Sequence, residues 1–125
     1  MTNPRYLLDT NILVYLIGGV SERLRDRVEE HEPGTVATSA LCVAETLYGI
    51  VDAQEKAALS RLLDVIAPLP FTVAEARRFP EIPFRRRRLD RLIAAHALAL
   101  GMTIVTNNEA DFADIPDLAV ENWTQ

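Results

Sequence analysis

Four acidic residues occupy positions where a carboxylate could do chemistry: Asp9, Glu45, Asp90 and Asp111. Asp9 directly follows a short apolar run, and Asp111 comes five residues after another apolar run, which ends at Thr106. A carboxylate at the carboxyl end of a strand points into the crevice where open α/β sheets bind ligands. Several carboxylates with no Cys–His set beside them are typical of a Mg²⁺ or Mn²⁺ site, because these hard cations take oxygen ligands.

Each acid also has a purely structural explanation, and the residues alone leave both open. Asp9 could cap the helix that follows it, Asp90 could interact favourably with a helix dipole, and Asp111 could belong to a turn. Glu45 lies in the apolar segment 41–48. A charge there is costly unless it is paired, binds metal or faces solvent on an amphipathic helix.

Other chemistries have weaker support. The sequence contains no GxGxxG, GxxxxGK[ST] or GxSxG motif, which argues against a nucleotide-binding phosphate loop and a serine-hydrolase elbow. Cys42, the only cysteine, lies in an apolar run and is expected in the core. His96 stands between alanines and is expected to be a packed or surface residue rather than a ligand.

The elements that must position these acids alternate along the chain. Short apolar runs predict strands, and amphipathic or capped segments predict helices. The predicted strands are residues 6–8, 35–38, 65–69, 102–106 and 118–121, and the predicted helices are 12–16, 21–30, one beginning after Ser39, 54–63, 73–79 and 89–100. This alternation predicts an α/β fold with a central parallel sheet of about five strands.

Local signals refine three of these helices. Thr10 or Asn11 is expected to cap the first one. The helix after Ser39 carries Ala44, Leu47, Tyr48 and Val51 as its apolar positions, and prolines at 80 and 83 interrupt the helix that begins at residue 73.

Length and composition indicate one ordinary domain over residues 1–125, with 49% apolar and 25% charged residues. A single cysteine fits a reducing compartment. The N-terminal residues lack the pattern of a signal peptide, and the uncharged run 92–108 is too short and too polar to span a bilayer. We therefore expect a cytoplasmic protein without membrane contacts.

Positive charge is concentrated in one segment. The net charge of −5 argues against indiscriminate nucleic-acid binding. Seven of the 13 basic residues nevertheless lie between positions 77 and 91, and all seven are arginines. Four of them are consecutive: Arg85, Arg86, Arg87 and Arg88. Arginine favours bidentate contacts with phosphate or carboxylate.

Four segments, taken in order, resemble the PIN-domain family, and specifically the VapC-type ribonuclease toxins of type II toxin–antitoxin systems. They are residues 7–12 (LLDTNI), 44–49 (AETLYG), 89–98 (LDRLIAAHAL) and 104–112 (IVTNNEADF), and the likeness ends at 120–123 (VENW). The first segment alone is a weak signal. The presence of all four segments, in this order and at these separations, is a specific signal for the family.

The resemblance implies a three-layer α/β sandwich that cleaves RNA with a divalent metal, Mg²⁺ or Mn²⁺, and leaves a 5′-phosphate and a 3′-hydroxyl. Asp9, Glu45 and Asp90 match the family's first three acids, and Asp9 and Asp90 would be the main metal ligands. Asp111 matches the fourth catalytic acid, although some branches carry that acid at the position of Asn108. The residues that would orient the acids are Thr10, Asn11, Thr106 and Asn108.

The implied partners are an RNA substrate and a cognate antitoxin, with assembly as a homodimer or as a hetero-oligomer with the antitoxin. The chain departs from the family pattern in residues 73–90, which are shorter than usual and end in the arginine run. Those arginines either guide an RNA backbone towards the acids or form a solvated loop. Two other functions stay open: a non-catalytic interaction module, and a nuclease of RNA maturation or of DNA.

Overall fold

A five-stranded parallel sheet organises the computed structural model, which describes residues 3–86 and 88–125. Arg87 therefore lies outside the described residues. The strands are β1 Tyr6–Leu8, β2 Val36–Ser39, β3 Ala67–Leu69, β4 Thr103–Val105 and β5 Val120–Glu121. They lie in the order β3-β2-β1-β4-β5, and each neighbouring pair is parallel. The predicted α/β class with a central parallel sheet is confirmed.

Helices connect these strands. They are α1 Thr10–Gly18, α2 Glu22–Glu29, α3 Ala40–Gly49, α4 Ala53–Val65, α5 Val73–Ala76 and α6 Arg88–Leu100, with 3₁₀ turns at Phe79–Glu81 and Glu109–Asp111. In the described part of the chain, none of the helices is long and apolar enough to cross a membrane.

The strand order reverses direction beside β1. The chain steps from β1 through β2 to β3 on one side, and from β4 to β5 on the other. Because parallel crossovers are right-handed, the helices before β3 and those between β3 and β4 lie on opposite faces, giving three layers. β1 and β4 pair directly, with Leu8 opposite Val105. The crevice at their carboxyl ends is the place where such sheets bind ligands.

The core lies around these two central strands. Leu7, Leu8, Ile104 and Val105 are fully buried, as expected for parallel strands covered on both faces. The middle of α6 packs against them through Ile93 and its neighbouring alanines, and the rings of Phe112 and Trp123 complete the same cluster. Full burial of one such aliphatic side chain stabilises the fold by roughly 1.5–3 kcal/mol, so the strand ends beside the site are held firmly.

The predicted core position of Cys42 is confirmed, and His96, which the sequence left as either packed or at the surface, is also completely buried. Burial raises the pKa of the Cys42 thiol to about 12, so it is not a reactive thiolate. His96 on α6 meets the hydroxyl of Ser39 through Nδ1 at 2.8 Å. Ser39 also caps α3 by accepting a hydrogen bond from the backbone N–H of Leu41, so its hydroxyl joins the start of α3 to the middle of α6.

The apolar face predicted for the helix after Ser39 is wrong. Leu47 and Tyr48 of α3 are exposed, Tyr48 to 94%, and Val51 just beyond the helix is also exposed. The buried residues of α3 are Cys42 and Thr46. Apolar residues lie nearly all round α3, so periodicity could not identify the side that meets the sheet.

Several element boundaries also differ from the sequence prediction. α4 continues to Val65, so β3 begins only at Ala67. The last strand is confined to Val120–Glu121. The helix predicted over 73–79 ends at Ala76 and gives way to a 3₁₀ turn with Pro80 in its first turn, because Pro80 has no N–H to donate to the carbonyl of Ala76 and its ring would clash with that carbonyl.

Candidate active site

An open cavity of about 520 Å³ adjoins the carboxyl ends of β1 and β4. All four acids singled out in the sequence line it, as do three of the four polar residues expected to orient them. The lining consists of Asp9, Thr10, Asn11, Glu45, Arg88, Leu89, Asp90, Asn108, Asp111 and Phe112. The remaining polar residue, Thr106, is fully buried and contacts the Asp9 carboxylate.

Asp9 is fixed in place by the start of α1. Its Oδ1 accepts a hydrogen bond from the backbone N–H of Ile12 at 3.2 Å, which makes Asp9 the N-cap of the helix. The prediction that Thr10 or Asn11 caps this helix is therefore wrong. The backbone N–H of Asp9 also donates to the carbonyl oxygen of Val105 at 3.0 Å, so β1, β4 and α1 together determine where this carboxylate lies.

The Asp9 carboxyl has an unusual affinity for its proton. Only 7% of the residue is exposed, and burial raises its pKa from 3.8 to about 6. Hydrogen bonds from Thr106 and Ile12 oppose that shift, whereas the negative charges of Asp90 and Glu45 add to it. Those two acids are therefore close enough to act on Asp9, and a cation among them would relieve their mutual repulsion.

Glu45 and Asp90 reach the cavity from two different helices. Asp90 lies in the first turn of α6, and Glu45 lies on α3 and is exposed. The sequence left open whether Glu45 is paired, binds metal or faces solvent. In the structure it faces solvent at the wall of the acidic cavity.

Asp111 belongs to the 3₁₀ turn Glu109–Asp111. Asn108 donates from Nδ2 to Asp111 Oδ2 at 2.8 Å, and its own backbone N–H donates to the hydroxyl of Thr106 at 3.0 Å. The segment after β4 therefore connects the Thr106 hydroxyl beside Asp9 to the carboxylate of Asp111.

Arg91 is a structural residue of this site that the sequence analysis missed. Its guanidinium, 2% exposed, donates from Nη2 to the carbonyl oxygen of Asp111 at 2.8 Å. It also donates to both carboxylate oxygens of Asp114, at 3.0 and 3.2 Å. Sequence alone grouped Arg91 with the other arginines of the basic segment. Its partner Asp114 lies 23 residues further along the chain, so no local sequence pattern marked Arg91 as facing inwards.

The arginine run adjoins the acids. Arg85 and Arg86 line a second cavity of about 220 Å³, and Asp90 and Asp111 are common to both cavities. Arg85 also forms an ion pair with Asp114, with Nε and Oδ2 3.5 Å apart. Arg88 lines the acidic cavity itself.

The chemistry of the cavity suits a hard divalent cation. Its described lining offers carboxylate, amide and hydroxyl oxygens and contains neither cysteine nor histidine. Within residues 3–86 and 88–125, no three His, Cys, Asp or Glu side chains already form a group that could hold a metal ion. The acids thus line the cavity without forming a cluster of three such ligands in the described part of the chain.

Comparison with known proteins identifies the family. The family model of the PIN domain matches residues 6–118. The chain belongs to the PIN-domain family. Among PIN-domain relatives, it is 35% identical over 130 residues to ribonuclease VapC2 of Rickettsia felis, with 94% of this chain and 97% of the relative covered. It is 28% identical to the tRNA(fMet)-specific endonuclease VapC of Shigella flexneri, with 96% of this chain and 98% of the relative covered.

Solved PIN-domain structures share the fold over nearly the whole chain. The crystal structure of VapBC2 from Rickettsia felis bound to a promoter DNA fragment matches with a TM-score of 0.84 at 30% identity, covering 94% of this chain and 98% of that one. The structure of VapBC-1 from nontypeable Haemophilus influenzae matches with a TM-score of 0.79 at 26% identity, covering 96% and 98%. The resemblance stated from the sequence is therefore confirmed.

Proposed function

We propose that this chain is a divalent-metal-dependent endoribonuclease and the toxin of a toxin–antitoxin pair, with Asp9, Glu45, Asp90 and Asp111 as its catalytic acids. One observation carries the proposal: these four carboxylates line a single open cavity where the strand order reverses. Full-length likeness to proteins named ribonuclease VapC2 and tRNA(fMet)-specific endonuclease VapC supports RNA as the substrate.

The acids have distinct roles in this proposal. Asp9 and Asp90 would hold Mg²⁺ or Mn²⁺, which would supply positive charge beside the scissile phosphate and would make the attacking water more acidic. Asp9 is suited to its role because Ile12 and Thr106 fix its carboxylate before any ion binds. Glu45 lies at the cavity wall and would bind the metal directly or through water, and Asp111 is the fourth acid of the same cavity.

The neutral residues hold those acids in position. Asn108 orients Asp111 through its hydrogen bond, and Thr106 orients Asp9. Thr10 and Asn11 form the polar rim beside Asp9.

Four consecutive arginines bind backbone phosphates and bring the RNA to the acids. They are Arg85, Arg86, Arg87 and Arg88.

We also propose a cognate antitoxin as the partner. The relatives' structures are named as VapBC complexes. A groove of about 260 Å³ beside α1 and α3, lined by Val14, Ile17 and Ile50 among others, meets the acidic cavity at Glu45. An antitoxin segment lying in this groove would reach the acids. Residues 1–125 would act as one cytoplasmic domain within a hetero-oligomer, or as a homodimer.

The proposal is tested by incubating partner-free protein with end-labelled total RNA in Mg²⁺, Mn²⁺ or EDTA, beside single-stranded DNA of matched length. We expect RNA fragments with 5′-phosphates only when metal is present. Cleavage of the DNA but not of the RNA would show that the substrate is DNA rather than RNA. Intact RNA with folded, metal-binding protein would favour a non-catalytic interaction module.

A further inference from the structure

Phe84 is a large aromatic residue on the surface beside the acids. Its side chain is 79% exposed, and it directly precedes the arginine run. The guanidinium of Arg88 lies over its ring, 5.8 Å from the ring centre. The aromatic ring and the guanidinium therefore form one exposed surface that combines an apolar plane with positive charge.

The ring belongs to a groove that leads to the acids. The groove has a volume of about 330 Å³ and is lined by Phe79, Pro80, Ile82, Pro83, Phe84, Arg85, Arg88 and Arg91. Arg85 and Arg91 also line the cavity that contains Arg86, Asp90 and Asp111, and Arg88 also lines the acidic cavity. An aromatic face, a set of cations and a set of carboxylates therefore follow one another across a continuous surface.

The chain is restrained on both sides of Phe84. Two prolines restrict the backbone before Phe84. After it, Arg85 pairs with Asp114 at 3.5 Å, and the same carboxylate is held by buried Arg91. Around this groove, Arg85 and Arg91 form ion pairs. Among the described residues, Arg86 and Arg88 form none. These two exposed guanidiniums remain available to an anion.

This combination matches the chemistry of a nucleotide. A base stacks on an aromatic face, and the phosphate next to it pairs with guanidinium groups. An acidic peptide would satisfy the arginines but would not need an exposed aromatic plane beside a nuclease-type cavity. Charge complementarity and continuity with the acids together favour RNA.

We propose that Phe84 is a stacking platform for one unpaired RNA base, which it holds while the adjoining phosphate lies over the arginines and acids. The proposal rests on the ribonuclease function proposed above and specifies its substrate. Bases inside a duplex are already stacked on both faces. The platform therefore selects RNA with an unstacked base, in a single strand or a loop, over duplex RNA.

Binding measured in EDTA tests the platform without turnover. The probe is a single-stranded RNA of about ten nucleotides, within the usual site size for single-strand binding, which carries one 2-aminopurine. We expect the protein to quench the 2-aminopurine. Phe84→Ala and Phe84→Leu should both weaken binding by about 5- to 100-fold, the range that corresponds to loss of one stacked base.

Three controls separate stacking from other effects. Phe84→Trp should retain binding, because it keeps an aromatic plane, and Tyr48→Ala, which removes an exposed ring from α3, should leave binding unchanged. RNA with an abasic nucleotide in place of the 2-aminopurine should bind equally well to the original protein and to Phe84→Ala.

Several results would overturn the platform. Phe84→Leu binding as tightly as the original protein would indicate a simple apolar contact. Equal losses on abasic RNA would indicate a distorted groove, and a changed oligomeric state of Phe84→Ala would indicate a protein interface. Quenching through Phe84 by a protein that cleaves no RNA in Mg²⁺ or Mn²⁺ would contradict the ribonuclease function and leave the platform standing.

Discussion

Asp9 combines a structural role with a proposed catalytic one. Its carboxylate caps α1 and accepts a hydrogen bond from Thr106, yet it lies at the wall of the acidic cavity. The fold therefore holds a carboxylate in a place where burial and its acidic neighbours disfavour its charge. The carboxylates of Asp9, Asp90 and Glu45 repel one another, and a bound cation would relieve that repulsion.

The titration of Asp9 predicts how metal-free protein responds to pH. Its pKa is raised from 3.8 to about 6 in the folded state, so the folded protein binds this proton more tightly than the unfolded chain does. The resulting stabilisation is complete below the unfolded pKa and is lost as the pH rises through about 6. Relative to Asp9→Asn, the protein should lose about 2–3 kcal/mol of unfolding free energy between pH 4 and pH 7.

Urea denaturation in EDTA across this pH range measures the difference. Asp64→Asn, which changes an exposed acid on α4, is the matched control and should follow the pH profile of the original protein. Parallel profiles for the original protein and Asp9→Asn would contradict the account of this carboxyl.

At the scale of elements, the site depends on the attachment of α6 to the turn that carries Asp111. Arg91 provides this attachment through three hydrogen bonds, to the Asp111 carbonyl and to the Asp114 carboxylate. Asp90 precedes Arg91 on the same helix. The buried guanidinium therefore fixes the relative positions of two proposed catalytic acids.

Arg91→Met should remove that attachment. We expect the free energy of unfolding to fall by roughly 2–4 kcal/mol, because charge-assisted hydrogen bonds to a buried group are lost. RNA cleavage should fall with it, because Asp111 is no longer held against α6. Thermal and urea unfolding measure the first effect, and cleavage below the melting range measures the second.

Arg25→Met is the control for this variant. Arg25 pairs with Glu29 at 3.5 Å on an exposed face of α2, and such pairs contribute little to stability. Its unfolding free energy should stay within about 0.5 kcal/mol of the original protein. Equal stability of Arg91→Met and Arg25→Met would show that the buried ion pair does not hold the turn.

The elements differ in how far sequence could predict them. β1 was predictable because a short apolar run that stops at Asp9 fits only a buried strand. α6 was predictable because its regular amphipathic repeat leaves only one face that can pack against the sheet. The exposed face of α3 was not, because apolar residues surround that helix and only packing selects Cys42 and Thr46 as the buried side. The burial of Arg91 depends on Asp114, 23 residues later, which no local pattern indicates.

The whole molecule carries two opposite electrostatic features. Its net charge is −5, which repels a polyanion, yet arginines line the cavities that meet at Asp90 and Asp111. The proposed function therefore requires that productive RNA binding is local and passes through the basic segment. Exchanging arginines outside this segment should weaken RNA binding much less.

Salt titration of RNA binding tests this locality. Exchanging Arg85, Arg86, Arg87 and Arg88 together for Gln should reduce the slope of log K against log salt by about 2 to 3, since each single-strand phosphate contact contributes about 0.7. The matched control exchanges four exposed arginines elsewhere, Arg5, Arg23, Arg25 and Arg61, and makes the same change in net charge. Equal slopes for the two variants would favour a solvated loop without phosphate contacts.

RNA cleavage by Asp90→Asn tests the central claim most directly. Purified, partner-free protein, Asp90→Asn and the surface control Asp64→Asn are compared on the same end-labelled RNA in Mg²⁺ or Mn²⁺, after circular dichroism has shown that all three are folded. We expect metal-dependent fragments from the original protein and from Asp64→Asn, and only background from Asp90→Asn, because the proposed mechanism requires Asp90 to hold the metal from the first turn of α6. An unchanged cleavage rate in folded, uncontaminated Asp90→Asn would contradict it.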